Sequence, residues 1–154
     1  MENEKKEFKK LVYQVCHQQI RERVANINIA IEQAEYAGAD DTKSSAGDKY
    51  ETTREMMQQE IVRNQSQLLE AKKALFQLEQ LEDASSEPQA APGSLIETNK
   101  GLFYLAISLG QLAVGDYKVL VLSPASPLGQ ILNAKNKNAS FSFNGISYTI
   151  KDIF

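Results

Sequence analysis

The stretch Gly38-Ala39-Asp40-Asp41-Thr42-Lys43-Ser44-Ser45-Ala46-Gly47-Asp48-Lys49-Tyr50-Glu51 decides the fold. It holds the only glycines between residues 4 and 80, and no proline occurs in that span. Small polar residues bracketed by glycines are loop composition. On either side the sequence has helical periodicity. The stretch therefore predicts a turn between two long helices, over about 5–37 and about 48–81.

The second helical run carries a seam. Met57, Ile61, Asn64, Leu68, Ala71, Leu75 and Leu78 alternate spacings of four and three, with Asn64 the polar interruption. That is the a/d pattern of a coiled coil. The first run answers with Ile20, Val24, Ile27, Ile31 and Ala34. Toward the N-terminus the apolar set widens to Phe8, Leu11, Val12, Val15 and Cys16, which predicts a further packing partner there. Two such helices joined by a short loop are expected to fold back antiparallel. Each arm would be roughly 50 Å long at 1.5 Å per residue. The same exposed seam also suits pairing with another chain, should the hairpin not close.

After the helices comes Glu82-Asp83-Ala84-Ser85-Ser86-Glu87-Pro88-Gln89-Ala90-Ala91-Pro92-Gly93, which reads as a linker. From residue 94 the texture becomes strand-like. Leu102–Ile107 and Tyr117–Leu122 are apolar, β-branched or aromatic runs. Phe141–Ile150 alternates around Asn144-Gly145, a two-residue hairpin turn. Ser126-Pro127 offers an N-cap and a first helical residue, so a short helix is expected to lay Leu128, Ile131 and Leu132 on the sheet. The expected organisation is α+β: a coiled-coil hairpin over 1–81, a linker over 82–93 and a small antiparallel β domain over 94–154.

Bulk properties exclude several classes. The chain has 154 residues, a net charge of −3 and 42% hydrophobic residues. That is a foldable composition, too acidic to coat a nucleic acid backbone unaided. No apolar run reaches membrane-spanning length, and Met1-Glu2-Asn3-Glu4-Lys5-Lys6-Glu7 lacks a signal-peptide core. A single cysteine excludes an internal disulfide and fits a reducing cytoplasm. Cys16 and His17 are neighbours, but adjacent helical residues point about 100° apart, so a core thiol and a surface imidazole are expected. No glycine-rich phosphate loop is present, and one His with one Cys is too little for a zinc site.

Two features of Gly47-Asp48-Lys49-Tyr50-Glu51 compete. Asp48 suits the N-cap of the second helix, with Glu51 as its capping-box partner; Ser45 and Asp48 fit the same template one turn earlier. Spacing alone favours the cap. Alternatively, two carboxylates three residues apart at the end of a long arm can be delivered into another molecule's active site. Asp40 and Asp41 are rival acids for that role, within an acidic region that includes Glu32, Glu35 and Glu55. In the C-terminal part, Lys100, Lys118, Lys135, Lys137 and Lys151 outnumber Glu97, Asp116 and Asp152, which reads as ordinary surface charge or as a surface for an acidic patch.

Order and motifs together resemble the Gre-type transcript cleavage factors. Gly47-Asp48-Lys49-Tyr50-Glu51 is similar to the Gly-Asp-x-x-Glu that this family carries at the tip of its helical hairpin. Val121-Leu122-Ser123-Pro124-Ala125-Ser126-Pro127-Leu128-Gly129, Asn133-Ala134-Lys135 and Tyr148-Thr149-Ile150-Lys151-Asp152-Ile153 resemble the family's FKBP-like C-terminal domain. Thr52-Thr53-Arg54-Glu55 stands where the family usually has Asn-Ala-Glu-Tyr. The resemblance implies a bacterial elongation factor that enters the secondary channel of RNA polymerase. Asp48 and Glu51 would help hold a magnesium ion of the polymerase's own active site, and backtracked RNA would be cut. It further implies no cofactor of the chain's own, no free-standing enzyme activity, contact with nascent RNA only within that complex, and a monomer. A channel-binding regulator that does not cleave, and a coiled-coil assembly protein, are the alternatives.

Overall fold

The computed structural model describes residues 2–40, 47–84 and 88–154, with backbone only for 38–40 and 47–50. The elements, numbered in chain order, are α1 (Glu2–Asp40), α2 (Gly47–Glu79), β1 (Leu95–Thr98), β2 (Gly101–Leu105), β3 (Gly110–Val114), β4 (Tyr117–Leu122), α3 (Pro127–Leu132), β5 (Ser140–Phe143) and β6 (Ile146–Ile153). The protein is α+β. It divides into two compact units, Gln19–Leu75 and Met1–Gln18 with Phe76–Phe154. The boundaries fall inside α1 and α2, not at the linker expected over 82–93.

In the Gln19–Leu75 unit the seam residues are the covered ones. Ile20, Ala34, Ile61 and Ala71 are buried, while Val24, Ile27, Ile31, Met57, Asn64 and Leu68 are half-buried. The residues between them face water, as an amphipathic helix requires. Residues of both helices, among them Asn26 on α1 and Asn64 on α2, line one open groove of about 390 Å³.

The other unit is built on a six-stranded sheet of order β3-β4-β2-β1-β6-β5. Every neighbouring pair is antiparallel except β2 and β4, which run parallel. The expected all-antiparallel sheet is corrected at that point. After β2 the chain turns out to the sheet edge, forms β3, and returns through Gly115-Asp116 so that β4 slots between β3 and β2. Gly115 supplies the positive φ of 59° that this turn needs.

Register sorts the side chains into two faces. Leu95, Tyr104 and Val121 lie in one row, and Ile96, Phe103 and Leu120 in the next. The second row joins Leu105, Leu122 and Ile150 in a core closed by Leu128 and Leu132 of α3. Ile131, expected to join them, is only half-buried. On the first row, Tyr104 is 1% exposed and stands near Cys16 and Tyr13 of α1; burial, then the charges of those two groups, raise its phenol pKa. The widened apolar face of α1 therefore has its partner. Phe8 meets Tyr117 edge-on at 5.3 Å, and Val12, Tyr13 and Cys16 are buried.

The described residues of the 82–93 segment are tied into this unit. The Lys9 amine donates to the Ala84 carbonyl. Ala90 exchanges backbone bonds with Ala134 and Lys135, and the Gly93 N–H donates to Leu105. Ala90 is 2% exposed. A segment whose composition reads as linker is here a strap held by its backbone, because Ala and Pro leave that backbone accessible.

Candidate functional site

The acidic candidates cluster around the α1–α2 connection. Asp40 is the last residue of α1, and α2 starts at Gly47. Asp48 is therefore inside the first turn of α2 and does not precede it as a cap. Glu51 follows one turn later and is exposed. Asp41 and Ser45, the rival acid and the rival cap, lie outside the described residues. Three apart on one helix, Asp48 and Glu51 share a face, with β-carbons about 5–6 Å from each other. An acid in the first helical turn is favoured by the helix dipole, whereas Asp40 at the end of α1 is opposed by it.

This pair could supply oxygen ligands and negative charge, and nothing nearby could act as a nucleophile. Among the described residues no three His, Cys, Asp or Glu side chains gather as a metal site would need. Two carboxylates alone suffice only where phosphate oxygens and waters complete a magnesium shell.

Elsewhere the sequence candidates become structural. Cys16 is fully buried, and burial pushes its thiol up to about 12. Such a thiol stays protonated and unreactive. His17 stacks on Tyr13 with ring centroids 5.7 Å apart, and its Nε2 stands 3.7 Å from a carboxylate oxygen of Glu79 on α2. Phe103, Phe141 and Tyr148 form a ring cluster, Phe141 stacking on Tyr148 at 5.0 Å and Phe103 meeting it edge-on at 5.8 Å. They pack on the β-domain core.

The lysines divide. Lys100, Lys118 and Lys151 are exposed, whereas Lys137 lies 4.0 Å from Asp152. Asp152 also receives Lys5 from α1. Sequence reasoning did not find this Lys5–Asp152–Lys137 group, because no local pattern links positions so far apart in the chain.

The turn around Ser123-Pro124-Ala125-Ser126 is closely bonded. The Ser126 hydroxyl donates to the Ser123 carbonyl at 2.6 Å and accepts from the Gly129 N–H at 3.1 Å. Ser126 is the N-cap and Pro127 the first helical residue, as expected. Among the described residues no helix is long and apolar enough to cross a membrane.

No family model, curated protein or solved structure matches the chain.

Proposed function

We propose that the chain is a bacterial transcription elongation factor that binds RNA polymerase through its secondary channel and stimulates cleavage of backtracked RNA. On this reading α1 and α2 form an antiparallel coiled-coil hairpin, and the sheet with α3 is an FKBP-like domain. The hairpin is supported by two sets of neighbours. His17 meets Glu79, while Arg23 and Asn26 share a groove with Asn64 and Gln67. As numbering rises along α1 it falls along α2.

The observation that carries the reading is the placement of Asp48 and Glu51 on one face of the first turns of α2, next to the connection from α1. Brought beside the polymerase's catalytic magnesium, two carboxylates on one face can hold a second metal ion and orient a water. Paired metals then stabilise both the attacking and the leaving oxygen of the phosphodiester. A long helical arm supplies the positioning that a flexible loop would lose. The chain completes another enzyme's site, holds no cofactor of its own, and acts as a monomer. Nascent RNA is met only inside the complex.

A non-cleaving channel regulator is the second reading. It is favoured by Thr52-Thr53-Arg54, which places a cation one turn after Glu51 where the family pattern carries an acid. Photo-crosslinking tests the shared part of both readings. A benzophenone side chain at Glu51 is expected to label the polymerase subunit that holds the catalytic magnesium. Labelling confined to the outer surface of the polymerase, or none, contradicts channel entry.

A further inference from the structure

Asn64 is the one polar residue in the α2 seam, set between Ile61 and Leu68. It is half-buried and opens onto the groove that Gln19, Arg23, Asn26 and Gln67 also line. A leucine there would continue the apolar seam and bury more surface. A polar seam residue lowers stability but discriminates among registers, because its amide needs polar company.

The company at Asn64 is specific to one register. If α1 slipped by one heptad in either direction, Cys16 or Ala30 would replace Arg23 in the groove. Val24, Ile27 and Ile31 continue the apolar alternation along α1 and do not themselves discriminate. Arg23 and Asn26 do.

We infer that Asn64, through the polar layer it forms with Arg23 and Asn26, is a positioning residue that fixes the register of α1 against α2. It thereby sets which residues stand at the α1–α2 connection. This rests on the antiparallel pairing proposed above. The register is read without any polymerase, so failure here is separable from failure of the cleavage reading.

The test places nitroxide labels at the exposed positions Arg21 and Gln65, in full-length protein carrying Cys16→Ala. Distances are measured by double electron–electron resonance, with thermal unfolding alongside. The parent and Asn64→Asp, which keeps the shape and polarity, are expected to give one narrow distance distribution. Asn64→Leu is expected to melt several degrees higher and to show a second population, displaced by about 10 Å for a one-heptad slip. A single unchanged distribution in Asn64→Leu overturns the inference. So does a fall in its melting temperature, or a split distribution in Asn64→Asp.

Discussion

Lys5 in the first turns of α1 donates to Asp152 near the end of β6, joining positions 147 residues apart. Lys5 also sits 5.3 Å from the ring centroid of Phe154. The pair ties the start of the chain to its last strand.

Its charges respond to pH at both ends of the scale. Partial burial pushes the Asp152 carboxyl up, but the bond from Lys5, the Ile153 N–H and the charges of Lys5 and Lys137 outweigh it, leaving the pKa lowered. A lowered carboxyl pKa gives stability that is present above the unfolded value, about 3.9, and lost as pH falls through the folded value. The bond to Asp152 raises Lys5, whose contribution is full below about 10.4 and lost as pH rises through the folded value. Asp152→Asn is therefore expected to lower the melting temperature by at most a few degrees between about pH 5 and 9. The difference from wild type should vanish near pH 2. Calorimetry across that range checks it.

Cys16 is expected to resist thiol reagents in the native protein. Its thiol, pushed up to about 12 by burial, is almost wholly protonated at pH 8. Ellman's reagent should react at least on the order of 10²-fold more slowly than in denaturant. The raised value also means that stability is complete below the unfolded thiol pKa, about 8.5, and falls as pH rises toward the folded value. Cys16→Ala should flatten that alkaline decline even if it lowers stability at pH 7.

Gly129 is required by a close approach. A β-carbon there would stand 2.0 Å from the Ser123 carbonyl oxygen and 3.0 Å from the Pro124 α-carbon. Both are backbone atoms, so the turn itself must open. Gly129→Ala should destabilise by about 1–3 kcal/mol, and Ser126→Ala, which removes only the cap, by about 1 kcal/mol. Urea titration of the two variants gives the comparison. Gly129→Ala milder than Ser126→Ala would contradict this packing.

What could be read in the sequence had local signals. Asn144-Gly145 placed the β5–β6 turn, and Ser126-Pro127 placed α3. The four-and-three alternation picked out the covered faces of α1 and α2. β1 and β3 were not read, since Leu95–Thr98 has only two apolar residues and Gly110–Val114 opens on Gly-Gln. The parallel pairing of β2 with β4 has no local signature, because it depends on β3 occupying the outer edge. For the acids, the sequence gave the spacing of Asp48 and Glu51 but not that Gly47 already belongs to α2, which moves Asp48 from a capping position to a helical face.

Cleavage by stalled polymerase tests the central claim most directly. RNA polymerase is halted in a backtracked state, the protein is added over a range of magnesium concentrations, and release of 3′ RNA fragments is timed. The account predicts that wild type accelerates release and lowers the magnesium needed. Asp48→Ala and Glu51→Ala should each lose roughly 10²-fold of that acceleration, the scale of one lost transition-state contact, while still binding polymerase. Wild type that binds yet leaves the cleavage rate unchanged, or alanine variants as active as wild type, would contradict it.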